Sequence, residues 1–350
     1  MKIEAEATRT AFGADAHAGA GALADENTGV AAQPSVSART GSRAAAAGAP
    51  AAGTGLKADT GAARVERTPA RAQGIDGELS PAELRKLLAM VYDHTGITMS
   101  ERKRSLLQGR LRPRMRMLSM SGYGDYLQFV ESHPPELPFF IDLVTTNETS
   151  FFRTPRVWTY FADTFLPAWQ AAHPRETLNV WSAASSSGEE AWSIAMHADA
   201  MRLSTPHFDY RILGTDISNN VVTKARTGRY QGRSFEQLLA SRPDLVARYF
   251  SADGDSWRVV GDLRARVQFE RFNLLDTLPR ERQFDIVFLR NVLIYFDAPT
   301  QQRIVANIVS TMRPGALLVL GESESLQRYD TGLRFEQPLF YRKVDRDERT

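Results

Sequence analysis

From about Leu178 onward the chain alternates short apolar runs with helical stretches, and no other feature limits its possible folds as strongly. The runs are LNVWSAA (178–184), YRILGTDI (210–217), VQFERFNLL (267–275), FDIVFLRNVLIYF (284–296) and GALLVLGES (315–323), with PLFYRK (338–343) near the C-terminus. Such alternation predicts a mostly parallel sheet with helices on both faces, an α/β fold of Rossmann-like type. In open sheets of this kind ligands bind beyond the carboxyl ends of the strands. Informative residues should therefore lie just after each run.

They do. The first run is followed by Ser185, Ser186, Ser187 and Gly188, and then by Glu189 and Glu190 at the start of a predicted helix. A strand, a small-residue turn and a helix in this order suggest a nucleotide site, yet the glycine pattern G-x-G-x-x-G is missing. Small residues let a ligand approach the backbone. Glutamates at a helix N-terminus are favoured by its dipole and would repel a phosphate there, which counts against dinucleotides and ATP. The second run ends at Asp216, suited to hold ribose hydroxyls. Each of these acids is also compatible with a plain helix start. Asn273 and Asn291 follow the third and fourth runs and offer amides to an adenine edge. Arg290, Asn291 and Tyr295 interrupt an otherwise apolar stretch, and polar groups at a buried strand end need partners. The ligand that meets these features together is an adenosine with a ribose, no phosphate, and positive charge near Glu189 or Glu190. S-adenosylmethionine fits.

Residues 79–140 read as helical. In SPAELRKLLAMVYDHTG, Ser80 is the expected N-cap, Pro81 the first helical residue, Glu83 the partner in a capping box and Gly96 the C-cap. Leu84, Leu87, Leu88 and Val91 follow helical spacing. The next segment, ERKRSLLQGRLRPRMR (101–116), holds seven Lys/Arg and one Glu, a net of +6, whereas the whole chain carries +2. Leu107, Leu111, Met115 and Leu118 form one side, with the basic residues elsewhere. This is either an amphipathic helix with a solvated face or a docking surface for an acidic partner. Pro113 is expected to kink or split it. A nucleic-acid partner is disfavoured, because no aromatic residues are interleaved for base stacking.

Residues 1–75 are dominated by Ala, Gly, Ser and Thr, too apolar-poor to offset ordering entropy, and are expected to be disordered. They lack the apolar core of a secretory signal. No run of about 18 apolar residues occurs. The chain has no cysteine and 6 scattered histidines, with no metal-ligand spacing and no disulfide. A cytoplasmic protein is expected.

The motifs TTNETSFFR (145–153), VWSAASSSGEE (180–190), GTDIS (214–218), FNLLD (272–276) and FLRNVLIYFD (288–297), in this order, resemble the chemotaxis receptor methyltransferase family, CheR. Members of that family methylate glutamate side chains of chemoreceptors with S-adenosylmethionine. The resemblance spans 79–345 and implies a helical N-terminal domain (76–142), a linker (143–154) and a methyltransferase domain (155–350) with a small antiparallel β-subdomain near 230–265. It implies cofactor-binding roles for Asn147, Thr149, Arg153, Glu190 or its neighbour Glu189, Asp216, Asn273, Leu274, Arg290 and Asn291. Arg153 and Tyr295 match the pair associated with catalysis. The basic helix matches the receptor-facing element, so Arg102, Lys103, Arg110, Arg112, Arg114 and Arg116 are expected to dock substrate. No metal is implied. A glutamate is already ionised at neutral pH, so no strong general base is required. RYFSADGDSWRVV (248–260) lacks the longer glycine-flanked loop of members that bind a receptor C-terminal pentapeptide, which predicts independence of that peptide. The expected partner is the cytoplasmic helical part of a chemoreceptor, met by a monomer. Alternatives are a methyltransferase of this architecture with another substrate, and a cofactor-binding signalling module without activity; the presence of both Arg153 and Tyr295 disfavours the latter.

Overall fold

The structure, a computed structural model, describes residues 77–344. The Ala/Gly-rich tail expected to be disordered lies outside the described residues, as do 345–350.

Four helices come first: α1 (Pro81–Thr95), α2 (Arg104–Met117), α3 (Tyr123–Ser132) and α4 (Leu137–Val144). The capping box of α1 forms as its sequence predicts, with Ser80 N–H donating to Glu83 Oε2 at 2.8 Å and Glu83 N–H donating to Ser80 Oγ at 3.3 Å. Gly96 ends the helix at φ +72°, in the left-handed region that costs glycine nothing. Leu84, Leu87, Val91, Leu107, Leu111 and Met115 are all fully buried in one core.

Pro113 does not split α2, which runs unbroken through it. An interior proline costs roughly 3 kcal/mol through a lost hydrogen bond and a crowded carbonyl. Burying Leu107, Leu111 and Met115 contributes about 1.5–3 kcal/mol each. Packing therefore outweighs the defect, and the carbonyl that loses its donor belongs to exposed Gly109.

The larger part begins with α5 (Pro155–Tyr160), which passes through one π turn into α6 (Leu166–Ala172). Then come β1 (Thr177–Ser182), α7 (Glu189–Ser204), β2 (Asp209–Asp216) and α8 (Asn219–Thr227). An inserted unit follows: β3 (Arg229–Tyr230), α9 (Arg233–Ser241), α10 (Pro243–Tyr249), β4 (Phe250–Asp253) and β5 (Ser256–Val259). Its strands form a separate antiparallel sheet in the order β3-β5-β4, with Gly254 at φ +62° in the tight β4–β5 turn. The chain closes with α11 (Gly261–Arg264), β6 (Val267–Arg271), β7 (Phe284–Leu289), α12 (Ala298–Thr311), β8 (Met312–Leu320), β9 (Leu333–Gln337) and β10 (Phe340–Lys343).

The main sheet has seven strands in the order β6-β2-β1-β7-β8-β10-β9. The pairings from β6 to β8 are parallel, and β10 is antiparallel to both β8 and β9. Alternate residues serve two cores: Val180, Ile286, Phe288 and Val319 face one, while Trp181, Val287, Leu289 and Leu320 face the other. That double burial is why these strands read as continuous apolar runs. Edge strand β9, largely exposed, had no such signature. The fourth run ends as a strand at Leu289 rather than continuing to Phe296, because Asn291 turns the backbone to φ +58°.

From β1 the chain builds first toward β2 and β6, then toward β7 and β8, leaving a crevice beyond the carboxyl ends of β1 and β7. The N-terminal helices dock over it. Thr98 N–H donates to Tyr295 O at 2.9 Å, Asn273 Nδ2 donates to His94 O at 3.0 Å, and Ile97 bridges to Phe296.

Candidate functional site

Beyond those strand ends lies a cavity of about 560 Å³, within the size range of small-molecule sites. Its floor is the turn after β1. Ser186 sits at φ +48° and Gly188 at φ +97°, and a Cβ on Gly188 would lie 2.9 Å from the Tyr230 hydroxyl and 3.0 Å from Ala225 Cβ. Glycine is thus required for close packing beneath the turn, not to admit a phosphate. Tyr230, from the inserted sheet, donates its hydroxyl to Ser187 O at 2.7 Å and braces the turn from below.

Asp216 ends β2 with its carboxylate bonded by Ser186 N–H (2.9 Å) and Ser218 N–H (3.0 Å). Burial pushes its pKa up to about 6, against hydrogen bonds from the Ser218, Ser186 and Ile217 amides. A carboxylate has about four acceptor sites, so acceptor capacity remains for a ligand hydroxyl.

Glu190 lines the cavity and Glu189 does not. Glu189 turns under the turn, where its carboxylate accepts from Ser187 Oγ at 2.7 Å. Glu190 accepts from Ser182 Oγ at 2.8 Å and pairs with Arg290 Nη1 at 2.9 Å. Burial raises its pKa while the Arg290 guanidinium opposes the rise. The glutamate expected to meet positive charge is therefore already neutralised by an arginine. It can still receive an ammonium through its free lone pairs, with its charge offset by Arg290 and the carboxylate of Glu324 also acting on it.

Arg290 is itself buried and donates Nη2 to Arg153 O at 2.9 Å. Its Nε has no partner among the described residues. Asn291 and the next two residues aim their backbone amides at one carboxylate, that of Glu324, at 2.7–2.9 Å, and Gly321 N–H adds a fourth bond at 2.7 Å. Glu324 was missed in the sequence. It lies just past the fifth run, where the strand-end rule would have found it.

Asn147, Thr149 and Arg153 come to the same cavity from the segment after α4. Asn147 O accepts from Ser186 Oγ at 2.8 Å, tying that segment to the turn. Asn273 and Leu274 line the cavity too. The Asn273 amide, however, is spent on His94 O and on Leu275 N–H (3.1 Å), so its first task is to hold α1 in place. Arg153 and Tyr295 both line the cavity, and neither side chain bonds to another described residue.

The six basic residues expected to dock substrate divide into two groups. Arg102, Lys103 and Arg116 are exposed. The other three are engaged within the protein. Arg110 holds Val144 O, Thr145 O and Thr146 Oγ1 (2.9–3.2 Å). Arg112 reaches the Tyr123 hydroxyl at 3.0 Å. Arg114 grips buried Glu136 with two bonds, 2.9 and 2.6 Å, and lies over the Phe139 ring at 4.1 Å.

Two family models match the chain over these regions. The SAM-binding domain model of CheR methyltransferases matches residues 147–338, and the CheR all-alpha domain model matches 82–145. The chain belongs to the CheR methyltransferase family. A chemotaxis protein methyltransferase of Escherichia coli is 36% identical over 261 residues, 72% of this chain and 87% of its own length. One from Borreliella burgdorferi is 31% identical over 270 residues, covering 75% and 94%, and one from Pseudomonas putida is 35% identical over 237 residues, covering 66% and 86%. The cofactor of this CheR domain is S-adenosylmethionine. The cavity fits it: Asp216 retains acceptor sites for a ribose, and the unpartnered Nε of Arg290 needs an acceptor that a ligand can bring. Among the described residues no cluster is arranged to hold a metal, and no helix is long and apolar enough to cross a membrane.

Proposed function

We propose that the protein methylates glutamate side chains of chemoreceptors, forming glutamyl methyl esters, and that the partner is the receptor's cytoplasmic helical domain. The observation that carries this reading is the pair Arg153 and Tyr295. Both line the cavity with side chains uncommitted to the described protein, whereas Arg290 and Glu190 neutralise each other. When bound, S-adenosylmethionine supplies an electrophilic methyl group on a sulfonium. A glutamate with an ordinary pKa near 4.3 is already the nucleophile at neutral pH. The chain's task is then alignment and removal of water from the carboxylate. Arg153 orients a carboxylate, and the Tyr295 hydroxyl positions the other reactant by a hydrogen bond. Asp216 holds ribose hydroxyls, and Glu190 receives an amino group.

The tight β4–β5 turn at Gly254 supports methylation that does not depend on a receptor C-terminal pentapeptide, by a protein acting as a monomer. Incubation with labelled methyl donor and receptor cytoplasmic fragments tests the proposal. Label should appear on glutamates and be released by mild alkali. Base-stable label, or none, would overturn it.

A further inference from the structure

Arg153 is presented by a backbone that does not hold itself in place. The residues on either side lie at positive φ, Phe152 at +50° and Thr154 at +66°. This left-handed region is unfavourable for any residue with a Cβ, and most of all for a β-branched one. The Thr154 side chain makes no capping bond to α5 that would account for its conformation. Such residues persist only where the surroundings fix them, and here other elements do so at both ends. Phe152 N–H donates to Ser193 Oγ at 3.0 Å, and that hydroxyl donates its own proton to Glu189 O at 2.7 Å. The Arg153 carbonyl accepts from Trp158 Nε1 at 2.9 Å as well as from Arg290. Trp158 is buried and stacks on the rings of Phe288 in β7, at 5.9 Å and 12°, and of His197 in α7, at 6.0 Å and 14°. The Arg290 guanidinium lies 5.8 Å from its ring centroid. Its indole N–H is thus aimed by the main sheet and by α7. Neither Trp158 nor Ser193 lines the cavity.

We propose that Trp158 and Ser193 are positioning residues for the reaction. Together they fix the backbone on both sides of Arg153, so that its guanidinium is directed into the cavity before substrate arrives. A reacting group held in this way needs no reorganisation at the moment of reaction. This rests on the role proposed for Arg153 in glutamate methylation and adds to it what sets that residue's geometry: an indole donor on its carbonyl and a serine acceptor on the amide before it.

The test is a double-mutant cycle on the full chain, assayed with labelled methyl donor and receptor fragments. Trp158→Phe keeps a ring for the stack and removes the N–H. It should lower kcat about tenfold or more, the scale of a misplaced reacting group. In the Arg153→Ala background the same substitution should lower kcat no further, because no guanidinium is left to aim. A merely structural tryptophan would cost the same factor in both backgrounds, and that result overturns the proposal. Ser193→Ala, a change that a helix accepts, removes the acceptor for Phe152 N–H and should show the same dependence on Arg153, so the cycle survives if Trp158→Phe folds poorly. Unchanged kcat in either variant overturns the role of that residue. A second readout needs no turnover. With arginine selectively labelled, the Arg153 backbone amide is the resonance missing from Arg153→Ala, and its NMR relaxation should report greater mobility in both variants. If the wild type methylates no receptor fragment, the glutamate reading fails and this relaxation alone decides: unaltered mobility of Arg153 overturns the positioning, and increased mobility upholds it.

Discussion

Arg290 Nη1 and Glu190 Oε2 meet at 2.9 Å across 100 residues of sequence, and the arginine also holds the Arg153 carbonyl through Nη2. One buried guanidinium thus joins the carboxyl end of β7, the start of α7 and the backbone of a proposed catalytic residue. Removing one partner of such a pair leaves the other charge buried and alone. Arg290→Ala should destabilise the fold by about 3–5 kcal/mol, read as a drop in thermal midpoint, and should abolish cofactor binding. Arg290→Lys should recover part of the stability but not the bond to Arg153 O.

Cofactor affinity should depend on pH through Asp216. Its folded value of about 6 lies above that of an unfolded aspartate because burial disfavours the charge. In the free protein, this group's contribution to stability is therefore lost as pH rises from the unfolded value toward 6. Ribose hydroxyls bond best to the ionised form, so affinity should fall as pH drops below 6, by at most about tenfold per unit. Calorimetric titration across pH 5–8 checks this. Asp216→Asn should bind weakly and without that pH dependence.

Tyr295→Phe removes a hydroxyl that bonds to no described residue. The thermal midpoint should stay where it is, while turnover falls on the order of a hundredfold, the scale of one lost donor at a reacting centre. Arg153→Ala should lower turnover comparably. Equal turnover in either variant would contradict its proposed role.

Glu324 holds four backbone amides with one carboxylate. Glu324→Gln puts an NH₂ where an acceptor is needed, leaving at least one amide bare at about 1–3 kcal/mol each. The left-handed Asn291 then loses the bonds that hold it there. A lower thermal midpoint together with weaker cofactor binding is expected.

Gly188→Ala should cost about 1–3 kcal/mol, because φ is +97° and the new methyl would press on Tyr230 and Ala225. Combining it with Tyr230→Phe should recover only part of the loss, since the backbone strain and the contact with Ala225 remain. Chemical denaturation of the single and double variants distinguishes these terms.

The sequence by itself determined the order of elements, the caps of α1, the buried face of α2 and the rule that functional residues follow the strands. Those properties depend on neighbours within a few positions, through helical spacing, alternation and turn chemistry. It also brought Asp216, Arg290 and Asn291 to attention, since polar residues at apolar strand ends are conspicuous. Only the tertiary structure decided that Glu190 and not Glu189 faces the cavity, that Arg290 neutralises it, and that Asn273 ties down α1. It likewise decided that half the basic residues expected to dock substrate serve the protein's own packing, and that Pro113 leaves α2 intact. Each of these outcomes turns on partners or packing from other elements, such as Arg114 with Glu136 or Asn273 with His94 across 179 residues. A side chain's charge is written in the sequence, but whether that charge is free or spent depends on what packing places beside it.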